Sequence, residues 1–510
     1  MPQQLSPTPQ VRANPPVRDR GDACPGALRL HRADDGFLAR ARIPAGVLTA
    51  HQALALAAAA ERLGDARLDI TSRGNLQLRG LAEDGGRELS TVLEESGLLP
   101  SPRHERVRNI VASPLSGLDG GSVGPRGESP QLPDGDSLVH AWARRLDALL
   151  CASERARALS GRFLFALDDG RGDVAALGAD VILIARPGGH ALLRAGHAES
   201  AVRVPGQAAP RAALLAAESF LTAADESASR AWRVAELPGG AEPFARTLPG
   251  LLAEAGIPAR EVPAPGAPSR EAHGGPVPYG DPPAPGLVHG PSGRCALSVL
   301  APLGRLTAEQ WRRVADAAER YGSGELRVTP WRGVLVPGLD PACAPGALRE
   351  LEAAGLVTDA DSPWTGVGAC TGLPGCAKSL RDVRADAERH LAAGHGGLPV
   401  HWSGCERRCG HPRGEWVDVV ATPEGYRVSV RGQSVRESAR GEAEADTAEA
   451  PVPRDLAGAV AAARTRNRDG EGEGESHEGG SRDGESQNDE SHDRDGTAAR
   501  AGEDGAAVTR

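Results

Sequence analysis

Four of the eight cysteines in this 510-residue chain fall into two tight pairs, Cys370-x5-Cys376 and Cys405-x3-Cys409. Thiolates are soft ligands, and four of them supplied by two short loops can wrap an iron–sulfur cubane. Gly368, Gly372, Gly375, Gly404 and Gly410 surround the pairs, and residues without side chains let backbone N–H groups approach the sulfurs. Spacing alone leaves two other uses open. A structural zinc site usually shows Cys-x2-Cys knuckles rather than gaps of five and three. Four unrelated buried thiols would be scattered as Cys24, Cys151, Cys295 and Cys343 are. His401 and His411 bracket the second pair and read as ordinary loop histidines.

Something must bring the two loops together, and the strongest organisational signal is an internal repeat at an offset of 258. Leu48 to Leu81 aligns without a gap on Leu306 to Leu339, with 14 of 34 positions identical. Each copy reads as a strand, a threonine N-cap (Thr49, Thr307), an Ala-rich helix ending near Gly64 or Gly322, and two short strands. One helix on an open sheet buries little core, so the copies are expected to pair about a pseudo-two-fold axis. Chance similarity of two Ala-rich helices is the plain alternative, but the match also spans the non-helical TSRG and TPWRG segments.

A weaker repeat follows each copy. After the first come VRNIVASPLSGLD, a helix around His140 to Leu150, and the hairpin-like segment FLFALDDGRGDVAALGADVILIAR. After the second come VGACTGLPGC, a helix around Ser379 to Ala393, and HWSGCERRCGHPRGEWVDVVAT. The order is A-B-A′-B′. Pro238 to Pro291 is rich in Pro and Gly and reads as a linker. Beyond about Arg440 the sequence is low-complexity and expected to be disordered, apart from a short helix near Leu456 to Ala463.

Charge narrows the partners. Asp469 to Arg510 holds 13 acidic and 4 basic residues, so this tail accounts for −9 of the net −10 and the body is nearly neutral. Neither a nucleic-acid patch nor a polybasic membrane surface follows from that balance. No run of about 18 apolar residues is present, and the first twenty residues lack an apolar signal core, so a cytoplasmic protein is expected, in which thiols stay reduced.

The cysteine spacings, with SGCERRCG as the second loop, resemble the siroheme-dependent sulfite and nitrite reductases. In that family such cysteines hold a 4Fe-4S cluster and the last also bridges to siroheme iron. The resemblance covers roughly Ala23 to Val430 and implies an α+β fold, a pseudo-two-fold repeat of ferredoxin-like halves alternating with nitrite/sulfite-reductase-type α/β cluster-binding domains. On this reading residues 1–20 are disordered, 21–100 and 292–345 are the ferredoxin-like halves, and 101–237 and 346–435 are the α/β domains. Residues 238–291 are the linker and 436–510 the acidic tail. Within the superfamily, DACPGALRLHRADDGFLARARIP, TSRGNLQLRG, RNIVASPLSGLD and GDVAALGADV look most like the precorrin-3B synthases. That resemblance implies a monooxygenase that hydroxylates precorrin-3A with dioxygen and closes a lactone in aerobic cobalamin biosynthesis. It also implies a mononuclear non-haem iron, whose ligands the sequence does not place.

Such a tetrapyrrole carries many carboxylates, and the arginine fork binds carboxylate bidentately. By resemblance Arg73 takes the place of the arginine in the reductases' TTRQ-like segment and Arg108 that of their RNV arginine. Asn75 and Asn109 flank them as amide donors, and Arg332 is the symmetric guess from the second repeat. For any one of these an ordinary solvated arginine is the plain alternative. One departure stands out: where the reductases have a KFK-like lysine pair, this chain has Arg162-Phe163-Leu164, leaving at most one cation. That argues against sulfite reduction and against bound siroheme, and for a tetrapyrrole that is substrate.

With no Gly-x-Gly-x-x-Gly between a strand and a helix, electrons are expected from an external donor, a ferredoxin or a nicotinamide-linked reductase. The competing readings are a siroheme sulfite or nitrite reductase and, without catalysis, an iron–sulfur electron carrier or sensor.

Overall fold

The computed structural model describes residues 22, 24–120, 137–265, 282–391, 397–412, 414–432 and 455–465. All lie in the first of two units, Met1–Arg468 and Asp469–Arg510.

Each repeat copy folds as an antiparallel sheet covered by its Ala-rich helix, Ala50–Leu63 in the first half and Ala308–Arg320 in the second. Both helices start on a capping box: Thr49 with Gln52, and Thr307 with Gln310, so two otherwise orphaned backbone donors are satisfied at each N-terminus. The first sheet orders its strands His31–Ala33, Gly36–Ala41, Leu76–Leu81, Arg67–Ile70, and ends on Arg305–Thr307 from the other half. The second orders Gly286–His289, Cys295–Leu300, Gly333–Leu339, Glu325–Val328, and ends on Val47–Thr49 from the first. The exchange is reciprocal in register: Leu306 faces Leu68, and Leu48 faces Leu326. The offset of 258 also holds in backbone conformation. Ala45 and Leu303 share a positive φ (57° and 53°), as do Gly74 and Arg332 (64° and 65°).

The two helices pack on one another in a single shared core. Trp311, fully buried, occupies the position equivalent to Ala53 and donates its indole N–H to the Ala53 carbonyl at 2.7 Å. The two halves are therefore one hydrophobic body, as the lone-helix argument requires.

Each half is followed by a parallel three-stranded core. In the first α/β domain Ile110–Ala112, Phe165–Asp168 and Val181–Arg186 run parallel, then His190–Ala195, Ser200–Pro205 and Arg260–Pro263 extend the sheet antiparallel. In the second, Val367–Ala369, Val400–Ser403 and Trp416–Ala421 run parallel and Tyr426–Arg431 closes the edge antiparallel. The A-B-A′-B′ order and the α+β class expected from the sequence are thus present.

Several local readings change. The hairpin-like segment is no hairpin: its strands Phe165–Asp168 and Val181–Arg186 pair parallel, so the buried DDGRGD turn crosses over rather than reverses. The segment read as linker supplies helices Ala241–Ala245 and Leu248–Glu254 and the edge strand Arg260–Pro263; of it, residues 266–281 lie outside the described residues. The helix expected from Ser379 begins only at Val383, capped by Asp382, because Ser379 and Leu380 bond to the cysteine loops instead. A helix does span Leu456–Thr465, and it packs Val460 and Ala463 against the second α/β core rather than belonging to a solvated tail. The expected disordered termini lie outside the described residues. Among the described residues no helix is long and apolar enough to cross a membrane.

Candidate cluster and tetrapyrrole site

The cysteine loops leave the carboxyl ends of two neighbouring parallel strands, where open α/β sheets place their ligand sites. Cys370 follows Val367–Ala369, and Cys405 follows Val400–Ser403 by one glycine. The loops are stitched together: the Cys370 N–H donates to the Trp402 carbonyl at 2.9 Å, and the Gly404 N–H donates to Cys370 Sγ at 3.2 Å. The Ser379 N–H reaches the Cys376 carbonyl at 2.9 Å and the Leu380 N–H the Gly404 carbonyl at 2.9 Å. Gly404 has to be glycine, since a Cβ there would collide with the Ser379 side chain.

The outward carbonyls of these loops meet donors from elsewhere. Arg384 Nε donates to the Cys370 carbonyl (3.3 Å), Arg79 to Gly375 (3.0 Å), Arg332 to Gly410 (3.2 Å) and His401 Nε2 to Cys409 (3.1 Å). Arg79 is itself fixed by a bidentate pair with Asp35 at 2.8 Å. The Gly404 and Gly372 N–H groups bond to the Cys370 sulfur, a polarity that stabilises a thiolate.

Burial pushes the Cys370 thiol pKa up; the Gly404 and Gly372 N–H groups oppose this, and the nearby Cys409 and Cys405 add to it. Mutual influence of three cysteines from two loops is what a shared cluster needs. Four soft thiol donors on two adjoining loops, with backbone N–H groups among them, are a donor set that a cubane could take.

His401 is fully buried and its pKa is held down to about 3, chiefly by burial and then by Arg332. Neutral, it donates from Nε2 to Cys409, so it acts as a prop for the loop. His411 is exposed and stacks on Trp416 at 5.2 Å.

A second feature lies in the first half. Arg40 and Arg42 sit two apart on one face of the Gly36–Ala41 strand and its continuation, beside Arg73. Arg42 is 3 % exposed, and its Nε and Nη1, like Nε of Arg40, have no hydrogen-bond partner. Burial and then repulsion from Arg40 and Arg73 pull the Arg42 pKa down to about 9. Burial, then Arg233 and Arg40, brings Arg73 to about 10. Buried like charges with unsatisfied donors are expensive unless an anion completes them, so an anionic group is what these donors could take.

Of the sequence-predicted residues, Arg73 belongs to this pocket and donates to the Gly161 carbonyl at 3.1 Å. Arg162 is exposed and lies over the Trp232 ring at 5.0 Å. The others have partners within the protein. Arg108 forms a bidentate pair with Asp147 at 2.7 Å and donates to the Leu98 carbonyl at 2.8 Å, so its fork is already filled. Asn75 accepts from the Ile43 N–H and donates to Asn109, which donates to the Arg106 and Gly161 carbonyls. Both asparagines are 1 % exposed and latch the first half to its α/β domain. Arg332 is drawn to the cysteine loops, not to the arginine pocket. Arg40 and Arg42 were missed because ARARIP reads as an ordinary alternating strand; alternation itself, with two arginines on one face, was the available signal.

The mononuclear iron finds no fitting ligands among the described residues. A carboxylate group of Asp168, Asp169 and Asp173 contains no histidine, and each member is already bonded. Asp168 accepts from Gly170, Gly172 and Ala175, Asp173 from Ser113 and Val174, and Asp169 pairs with Arg171.

The model of the nitrite/sulfite reductase ferredoxin-like half domain matches residues 29–95 and 289–354, one match per repeat copy. The chain superposes on the solved NirA protein of Mycobacterium tuberculosis with a TM-score of 0.58 at 19 % identity, over 78 % of this chain and 74 % of that one. The chain has the nitrite/sulfite reductase fold. Among curated relatives it is 29 % identical over 427 residues to a ferredoxin–nitrite reductase of Synechococcus elongatus, covering 78 % of each chain. It is 24 % identical over 436 residues to a precorrin-3B synthase of a Sinorhizobium species, covering 81 % of this chain and 83 % of that one. These relatives are oxidoreductases of two kinds. The similarity to nitrite reductases gives the sequence-based argument against siroheme no support. That argument rests on position 164 alone, where Leu164 is 3 % exposed in an apolar cluster.

Proposed function

We propose that the chain is a cytoplasmic iron–sulfur oxidoreductase that binds a polycarboxylate tetrapyrrole and hydroxylates it with dioxygen, in the manner of precorrin-3B synthase. The observation that carries the tetrapyrrole is the set of donors left over on Arg40 and Arg42 beside Arg73: Arg40 Nη2 is bonded to Gln77 and Arg42 Nη2 to the Pro25 carbonyl, but Arg40 Nε and Arg42 Nε and Nη1 are buried without a partner. A 4Fe-4S cluster on Cys370, Cys376, Cys405 and Cys409 would supply electrons one at a time. Hydroxylation inserts one oxygen atom into a C–H bond and reduces the other to water, consuming two electrons and two protons from an external donor. The protein's part is binding and orientation. Arg40, Arg42 and Arg73 fix carboxylates at one edge of the macrocycle, while Arg79, Arg332, Arg384 and His401 hold the cysteine loops.

A second reading, a siroheme-dependent nitrite or sulfite reductase, is favoured by the similarity to the Synechococcus ferredoxin–nitrite reductase. Anaerobic purification followed by visible spectroscopy, then incubation with precorrin-3A, reductant and dioxygen, separates the two. A mass gain of one oxygen atom supports the proposal; a Soret band as purified with nitrite or sulfite turnover, and no mass gain, overturns it. Arg42→Gln is expected to weaken tetrapyrrole binding by about 10-fold or more, the worth of a charge-assisted hydrogen bond. The same change should raise the melting temperature of the ligand-free protein, because it removes an unsatisfied buried charge.

A further inference from the structure

The turn that joins the first two strands of the first half lies against the loop that carries Cys376. His31–Ala33 and Gly36–Ala41 pair with Ala33 opposite Gly36, which leaves Asp34 and Asp35 as a two-residue turn. Each carboxylate takes one of the peptides flanking Cys376. Asp34 Oδ2 accepts the Ala377 N–H. Asp35 holds Arg79 at 2.8 Å through both Nε and Nη2, and that Nη2 donates onward to the Gly375 carbonyl at 3.0 Å. The fit is close, since a Cβ on Gly375 would stand 2.6 Å from Asp35 Oδ2.

The other three cysteines are held from within their own domain. The Cys370 N–H and carbonyl bond to Trp402 and Arg384, the Cys405 carbonyl accepts the Arg408 N–H at 3.2 Å, and the Cys409 carbonyl accepts from His401. Cys376 has one such bond, from the Ser379 N–H to its carbonyl. Its two neighbours rely on the first half.

Pseudo-symmetry separates resting on this loop from gripping it. Ser113 of the first α/β domain bonds the Leu167 carbonyl as Cys370 bonds that of Trp402, and Asp119 follows it by six residues as Cys376 follows Cys370. The neighbours of Asp119 are covered by the second half's turn at residues 290–294: a Cβ on Gly290 would collide with the Leu118 carbonyl, and Gly120 faces Pro291. That turn contains no acid, and the position equivalent to Arg79 is Pro337. A half can therefore rest its turn on this loop without a carboxylate. The acid pair occurs on the side where the loop carries a thiol.

We propose that Asp34 and Asp35 are positioning residues for Cys376, and that their grip sets how readily this thiol parts from a bound iron. The inference rests on the reading of the four cysteines as a cluster site and assigns the keeping of one ligand to the other half of the chain. In a 4Fe-4S cubane each iron has one cysteine. When ferricyanide takes one electron from the oxidised cluster, and the bonds of the Cys376 iron to its thiolate and sulfides break, that iron leaves as Fe2+. A three-iron cluster of one unit lower charge remains on the other three thiolates, and Cys376 keeps its electron pair. Holding the peptides on both sides of Cys376 opposes that departure.

Alkylation by iodoacetamide of the full chain, prepared without iron, kept reduced and mapped by mass spectrometry, reads each thiol separately. Asp34→Ala and Asp35→Ala should each speed alkylation of Cys376 about 10-fold or more, the effect of losing a charge-assisted hydrogen bond, with Cys405 and Cys409 unchanged. Asp34→Asn keeps an oxygen for the Ala377 N–H and should restore most of the protection. In the cluster-loaded chain both alanine variants should give more of the three-iron EPR signal than wild type at equal ferricyanide. Cys376 alkylated at the wild-type rate in both alanine variants, or all four thiols quickened together, overturns the proposal. Should Asp35→Ala prove unstable, Asp34→Ala and Asp34→Asn decide it, because the exposed Asp34 has no part in the Arg79 pair. A chain that takes up no cluster refutes the cysteine assignment instead, and alkylation read without iron keeps the two failures apart.

Discussion

The two α/β domains are built on one frame and do opposite things with it. In the second, Cys370 N–H donates to the Trp402 carbonyl at 2.9 Å and Cys370 Sγ receives the Gly404 N–H at 3.2 Å. In the first, Ser113 N–H donates to the Leu167 carbonyl at 3.0 Å and Ser113 Oγ receives the Asp169 N–H at 3.1 Å. The strand registers agree, Ile110 facing Phe165 as Val367 faces Val400. Ser113 therefore stands where Cys370 stands, and the DDGRGD turn where the Cys405–Cys409 loop stands. In one domain the frame brings two thiol-bearing loops together. In the other it is closed by Arg171, which pairs with Asp169 and Asp119 at 2.8 Å, and by Asp173 bonded to Ser113 at 2.6 Å. The difference teaches that this strand-end frame fixes where a site can be, while a few side chains decide whether it is a ligand site or a sealed plug.

The comparison can be broken in several ways, and the largest effect is expected at the thiol. Cys370→Ser gives the second domain the first domain's atom; it should abolish the cluster's visible absorbance, and a retained cluster would refute the ligand assignment. Next is the plug. Arg171→Met takes the ion pair from Asp169, 1 % exposed, and removing the partner of a buried charge costs about 3–5 kcal/mol; denaturant midpoints should fall accordingly, with the second domain's visible spectrum unaltered. Ser113→Ala leaves a buried N–H and a carboxyl without their shared hydroxyl and should cost about 1–3 kcal/mol, measured the same way.

The smallest effect concerns pH. Burial, then the charge of Asp168, pushes the Asp173 pKa up to about 7 from its ordinary value of 3.8. A raised carboxyl pKa means the folded chain holds a proton the unfolded chain releases, so this contribution is full below about pH 4 and is lost as pH rises toward 7. Asp173→Asn should flatten that part of the melting-temperature profile between pH 5 and 8 and leave the protein more stable than wild type at the alkaline end. A profile unchanged by the substitution would show that Asp173 does not titrate in this range.

Much of this was legible in the sequence. The offset of 258 specified the halves, their capped helices and their pairing, because those depend on local pattern and on burial of one helical face. That the two cysteine loops meet was legible from the paired spacings, and the Gly404 N–H bond to Cys370 Sγ joins them. The polar residues were harder to read. Arg108, Asn75 and Asn109 were assigned outward roles because their segments carry familiar polar motifs, yet their partners Asp147, Leu98 and Gly161 lie far along the chain, and no local pattern announces whether a donor is already occupied. Arg40 and Arg42 failed in the other direction. Their significance is that buried N–H donors are left over on them, which is a property of the packed structure and not of the strand that carries them.

The exchanged strands have a consequence for synthesis. The first half has its own helix and four of its strands by residue 81, but its edge waits for Arg305–Thr307, and the second half's edge was made long before, at Val47–Thr49. During translation the early half must therefore persist with an unpaired border until more than two hundred further residues have left the ribosome. Closing so long a loop adds little to its entropic cost, which grows only logarithmically with length, but the search is slow. The nascent chain is exposed to wrong strand pairing for that interval, and splitting the gene between the halves should yield two fragments that fold only in each other's company.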